Sequence, residues 1–271
     1  MPRFFKHLAV IAIAITALSC NHSEKDTIHD HDGNEMDTSL LKPASCKMQL
    51  TWDNKNPSTG STVNFRFTPL SQPGNKIASL ELLHQKKIHF IIVNEDLSYF
   101  DHLHLDKDSA GSYNIAAFFP AGGKYMLIAD YKPERMAQQY DTFSINVAGN
   151  SNKPVTYTAS QLTTTTDGYT VQLLHKKLIP NTEGVVVMKI SKDGNNILPE
   201  KIQQYLGEAA HMIAINTDSK EYVHTHSMSD PMSYWFMAKF PRAGFYKVWV
   251  QFQTNDMVHT APFVIQVDNT K

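Results

Sequence analysis

His89-Phe-Ile-Ile-Val-Asn-Glu-Asp-Leu-Ser-Tyr-Phe-Asp-His102-Leu-His104 and His211-Met-Ile-Ala-Ile-Asn-Thr-Asp-Ser-Lys-Glu-Tyr-Val-His224-Thr-His226 are one pattern written twice. In both copies 13 positions separate a lone histidine from the first member of a His-x-His pair. The match continues downstream, where Phe119-Pro120 and Gly123-Lys124-Tyr125 correspond to Phe240-Pro241 and Gly244-Phe245-Tyr246. Each copy then closes on an apolar segment, Phe143 to Val147 and Phe263 to Val267. Agreement at so many fixed offsets marks a duplicated unit, and predicts two homologous domains.

The local pattern within each unit is that of β-strands. Val63–Phe67, Tyr113–Phe118 and Tyr125–Ala129 are short and rich in β-branched and aromatic residues. Val185–Ile190, Tyr234–Ala238 and Tyr246–Phe252 match them in the second copy. Gln72-Pro73-Gly74, Ala121-Gly122-Gly123 and Lys192-Asp193-Gly194 supply turns between strands. No long amphipathic helix is read; Glu200 to Leu206 is expected to form one or two turns at most. The fold class is therefore all-β: two tandem β-sandwich domains, immunoglobulin-like or cupredoxin-like, at residues 46–149 and 153–271. The polar stretch from Ala148 to Pro154 reads as the join.

Composition supports a folded body. The chain has 271 residues, 42% hydrophobic and 19% charged, which excludes wholesale disorder. Its 25 basic and 26 acidic side chains leave a net charge of −1, with no cationic excess for phosphates, so no nucleic-acid partner is expected. Two cysteines cannot make a disulfide framework or a four-cysteine zinc site. The excess lies in histidine, at 13 residues, the commonest metal ligand.

The amino terminus reads as an address. Arg3 and Lys6 precede an apolar run from Leu8 to Leu18, and Ala17-Leu18-Ser19 leads into Cys20. Residues 1–19 thus have the form of a signal peptide, too short for a comfortable membrane span. The boundary cysteine resembles the lipobox of bacterial lipoproteins, with Ala17 and Leu18 in the reverse of the usual order. That resemblance implies lipidation at Cys20 and a membrane anchor on the extracytoplasmic side of the cell envelope, in the periplasm or at the outer membrane. Residues 20–45 show almost no apolar periodicity and read as a disordered tether, with His22, His29 and His31 among Asp30, Asp32 and Glu35.

The histidine spacing carries the chemistry. With Asn94–Leu97 as the turn, antiparallel pairing sets His89 opposite His102, and His211 opposite His224. Alternation puts His102 and His104 on one face, and opposed residues lie about 5 Å apart at Cβ. Three imidazoles then project from one face of each hairpin: His89, His102 and His104, and His211, His224 and His226. Neutral imidazoles on rigid strands suit copper, zinc or nickel. A blue-copper centre needs a thiolate, and Cys46 has no counterpart in the second copy. Met228, Met257 and His259 are further candidate ligands, since thioether with imidazole favours Cu(I). His84 and His175 have no matched partner, Leu206 standing where the second copy would repeat His84, and both read as surface or edge residues.

Tyr205-Leu-Gly-Glu-Ala-Ala-His211, running on to His224-Thr-His226, resembles a motif of secreted bacterial proteins with tandem immunoglobulin-like or cupredoxin-like domains linked to copper and heavy-metal handling. The first copy matches the later part and lacks the Tyr-Leu-Gly lead. Proline often follows the second histidine in that pattern; Leu105 and Ser227 stand here instead. The resemblance implies an extracytoplasmic metal-binding role with copper, Cu(I) or Cu(II), ahead of zinc, and supplies no reaction. The leading expectation is a non-enzymatic scavenger, buffer or chaperone, with a possible envelope protein partner. The alternative is an envelope adhesion or interaction module using aromatic surface at Tyr99, Phe100, Tyr222 and Tyr234. A three-histidine metalloenzyme ranks third, with Asp108 and Asp230, each four residues past the second histidine, as the acids it would need.

Overall fold

The computed structural model describes residues 28–29, 35–36, 46–71, 76–107, 111–228 and 233–269. The expected signal peptide, Cys20, most of the tether, Asp108 and Asp230 lie outside the described residues. Residues 1–38 and 39–271 form separate units. In the first, Ile28–His29 (β1) pairs antiparallel with Glu35–Met36 (β2), within the stretch read from sequence as a disordered tether. Asp32-Gly33, a turn-forming pair, lies between them in sequence.

The second unit contains both repeats. The first repeat comprises β3 (Cys46–Trp52), β4 (Thr62–Ser71), β5 (Ile88–Asn94), β6 (Phe100–His104), β7 (Asp106–Lys107), β8 (Tyr113–Phe118), β9 (Gly123–Tyr131) and β10 (Gln139–Val147). These make two four-stranded sheets, β3-β4-β8-β7 and β10-β9-β5-β6. Strand β4 shows the logic of the sandwich: Val63, Phe65 and Phe67 face inward, while Asn64 and Arg66 between them are exposed. Around them Phe90, Phe119, Leu127 and Tyr131 complete a buried core, with the rings of Phe67 and Phe90 edge to face at 4.8 Å.

The second repeat comprises β11 (Thr163–Thr166), β12 (Tyr169–His175), β13 (Glu183–Lys192), β14 (Asn195–Ile197), β15 (His211–Asn216), β16 (Tyr222–Met228), β17 (Tyr234–Lys239), β18 (Gly244–Thr254) and β19 (Met257–Val267). Its ladder runs β11-β12-β13-β17-β16-β15-β18-β19, with β14 on β13. The long β16 joins the two layers: its first part pairs with β15, and Ser227 and Met228 pair with β17. The first repeat divides the same path between β6 and β7, which separate at Leu105. The turns expected over Glu200–Leu206 reduce to a 3-10 turn at Pro199–Lys201, because Gln203 and Tyr205 are drawn into bridges with Gln253 and Glu208. The chain is thus all-β, two β-sandwiches in tandem.

A third apolar cluster lies between the repeats. It joins Ile91, Val93, Leu97 and Ile128 of the first to Ile213, Ile215, Tyr222 and Trp249 of the second. Phe100 stacks on Trp249 with centroids 4.5 Å apart. This explains why every residue of β15, and all but the last of β5, is buried although each strand lies in a sheet with one face on its own core. On β5, Ile88, Phe90 and Ile92 fill the first core, and Ile91 and Val93 meet the second repeat. The His89 end of that same outward face is where the site begins.

Candidate metal centre

The hairpins pair differently from the sequence expectation. His89 stands opposite His104 rather than His102, and His211 opposite His226 rather than His224. The cause is a longer loop: Val93 pairs with Phe100, leaving Asn94–Tyr99 as the connection. Asn94 Oδ1 accepts from Tyr99 N across it, and Asp96 Oδ1 accepts from Ser98 N inside it. A register change of two residues keeps every side chain on its face, so the three histidines still converge. In each set, one nitrogen per residue lies within 4.8 Å of the other two.

Hydrogen bonds fix which nitrogen is free in His89, His102, His211 and His224. His89 Nε2 donates to Leu83 O at 2.8 Å, and His211 Nε2 to Tyr205 O at 2.6 Å. Both carbonyls belong to tight turns, Leu83–Lys86 and Tyr205–Glu208, whose central residues all have positive φ: His84, Gln85, Leu206 and Gly207. His89 Nδ1 and His211 Nδ1 are left as lone pairs, and the latter has no hydrogen-bond partner among the described residues. His102 Nδ1 donates to Gln251 Oε1 at 2.7 Å, while Gln251 Nε2 reaches Thr260 Oγ1 at 3.1 Å. The His102 Nε2 lone pair then faces that of His89 Nδ1 at 3.0 Å. His104 Nε2 is buried and has no hydrogen-bond partner among the described residues. In the second triad His224 Nδ1 donates to Asp130 Oδ2 at 2.8 Å, and its Nε2 lies 3.1 Å from His226 Nε2.

Two nitrogen lone pairs at hydrogen-bond distance with no proton between them repel, and a cation beside them removes the repulsion. Burial also keeps four of these rings neutral. It lowers His89 to about 4, helped by repulsion from His224, lowers His104 to about 3, and lowers His211 to about 3. His102, also desolvated and beside His104 and His89, falls well below the ordinary histidine value. Neutral rings are the form that binds metal. Burial alone would raise the Asp130 carboxyl, but the hydrogen bonds it accepts, led by that from His224, outweigh this and hold it below its usual value. Tyr222 and Gln138 also donate to that carboxylate, at 2.9 Å and at 2.9 and 3.1 Å.

The triads are parts of one cluster. The His224 ring lies 5.2 Å from that of His89 and 5.8 Å from that of His102, as close as partners within a triad. His84, read from sequence as a surface residue, belongs here: its side chain is 5% exposed and its ring centroid lies 3.3 Å from that of His226. Asp130 and Gln251 also escaped the sequence reading. The available signal was a polar residue at the same repeat position in two apolar strands, Leu127-Ile-Ala-Asp130 and Val248-Trp-Val-Gln251.

The remaining candidates lie apart from the cluster. His259 is fully buried with both nitrogens engaged, Nδ1 by Asp167 Oδ2 at 2.8 Å and Nε2 by Thr254 Oγ1 at 2.7 Å. Its ring packs on Tyr169 and Phe252. Met228 and Met257 are half exposed at the ends of β16 and β19, so neither supplies a buried thioether. His175 Nδ1 bonds the neighbouring Lys176 O.

One family model, described as a domain of unknown function, matches residues 44–149 and again residues 164–269. The chain belongs to that family, Domain of unknown function (DUF8832). Each DUF8832 copy carries one histidine triad. No curated protein matches the chain. Among solved structures, the Escherichia coli adhesin FdeC is 11% identical over 82% of this chain and 64% of its own, with a TM-score of 0.29. Promiscuous carbohydrate-binding modules of the β-sandwich superfamily are 10% identical over 84% and 93%, with a TM-score of 0.26. The Yersinia pseudotuberculosis adhesin InvE is 8% identical over 83% and 60%, with a TM-score of 0.27. The chain spans less than two thirds of either adhesin. At such identities and scores these likenesses carry no statement about ligand or activity. Neither the DUF8832 description nor these three names mention copper.

Proposed function

We propose that this is an extracytoplasmic metal-binding protein that holds ions in the histidine cluster between its repeats. Copper is the first candidate and zinc the second, and the role is that of a scavenger, buffer or chaperone in the cell envelope, anchored through lipid at Cys20. The observation that carries the reading is the 3.0 Å approach of the His89 Nδ1 and His102 Nε2 lone pairs, each ring's other nitrogen being committed elsewhere. The donor set is all imidazole, which suits Cu(II) and Zn(II) and weakens the case for Cu(I). Full burial of His89 and His211 favours holding an ion over turning over an organic substrate. Metal analysis of protein purified from copper- and zinc-supplemented cultures tests this. Two copper ions per chain are expected, and His102→Ala with His104→Ala removes one. Absence of metal from both preparations overturns it.

The second reading, a non-catalytic adhesion or protein-interaction module of the envelope, rests on a different surface. Val185 and Met237 face each other on β13 and β17, and Val187 pairs with both Trp235 and Leu174. Leu174, Val185, Trp235 and Met237 are 37%, 43%, 37% and 40% exposed and make an apolar strip on the surface. A partner that binds equally well after chelation, and is lost with Trp235→Ser, supports this role.

A further inference from the structure

The two halves of the centre carry different charge at one equivalent position. Asp130 in β9 and Gln251 in β18 each stand seven residues after the glycine that opens the strand. Each pairs with the lone histidine of its own repeat, Asp130 with His89 and Gln251 with His211. Each then reaches across to the middle histidine of the other repeat, Asp130 to His224 and Gln251 to His102. The exchange is reciprocal, but one partner is a carboxylate and the other a neutral amide.

We infer that Asp130 makes the second triad, His211, His224 and His226, the tight ion position and leaves the first triad, braced by Gln251, as the weak one, so that ions load in a fixed order. This rests on the metal-binding reading above. An imidazole whose far nitrogen donates to a carboxylate is a stronger and better-oriented ligand than one donating to an amide. The carboxylate is held in place by Tyr222 and Gln138 as well as by His224. His89 stands beside it on the neighbouring strand, yet of these two histidines His224 is the one hydrogen-bonded to it. Asp130 is thus a positioning residue for a ligand.

Titration of the purified protein with copper(II), followed by calorimetry and by electron paramagnetic resonance at one and two equivalents, tests the order. Two steps separated by about 10–100-fold in affinity are expected. His226→Ala removes the tight step and His104→Ala the weak one. Asp130→Asn weakens the tight step by about 10-fold or more and leaves the weak one in place. Gln251→Glu, which needs no change at Asp130, strengthens the weak step and narrows the gap; melting curves verify that both variants fold. Two equal steps in the unaltered protein, or equal weakening of both steps by Asp130→Asn, overturn the order while leaving the metal-binding reading intact. No binding at all overturns both.

Discussion

Histidine serves two purposes in this molecule, and the hydrogen bonds of each ring separate them. His259 has both nitrogens bonded and packs between aromatic rings, so it is a core residue. His259→Ala is expected to cost about 2 kcal/mol of stability by urea denaturation, since it leaves a gap and strips the Thr254 hydroxyl of a partner. Metal stoichiometry should not change; a lost ion would move His259 into the centre. The six triad histidines were legible in the sequence because duplication repeats their spacing. His84, Asp130 and Gln251 were not. Their partners come from the other repeat, and spacing along one strand says nothing of what docks on it.

At the scale of elements, alternation in β4, β5 and β16 predicted which face each side chain takes, but not the pairing register. The loop Asn94–Tyr99 is longer than the four-residue turn first read, because Asn94 closes it by accepting from Tyr99 N. Loop chemistry of that kind is set by side chain to backbone bonds that periodicity does not report. Gly122, at the turn entering β9, shows a related constraint. A Cβ at this position would lie 2.2 Å from Gly149 O, and the Gly122 N donates to Asn150 O at 2.9 Å. The second copy carries Ala243 at this place. Gly122→Ala is expected to destabilise the protein by about 1–3 kcal/mol through overpacking, read as a lower urea midpoint. An unchanged midpoint would mean the chain relaxes freely there.

Across the whole molecule, two sandwiches face each other through a contact that is apolar at one end and histidine-rich at the other. The repeat disclosed two domains, but their docking was not legible, since an outward apolar face on β5 or β15 does not name its partner. Docking makes stability depend on pH. His89, His104 and His211 are held at about 4, 3 and 3, against about 6.5 for an unfolded histidine. Between those values the unfolded chain binds more protons, so stability rises with pH. The contribution is complete above about pH 6.5 and is lost as pH falls toward 4 and then 3. The metal-free protein should show a clearly lower urea midpoint at pH 5 than at pH 7.5; equal midpoints would contradict burial of neutral rings. The central claim, an ion held by imidazoles alone between the repeats, is tested most directly by X-ray absorption at the copper edge of the loaded protein. The account predicts a shell of imidazole nitrogens at about 2.0 Å with no sulfur, lost in a variant combining His102→Ala and His224→Ala. A sulfur shell, or a spectrum unchanged in that variant, would contradict it.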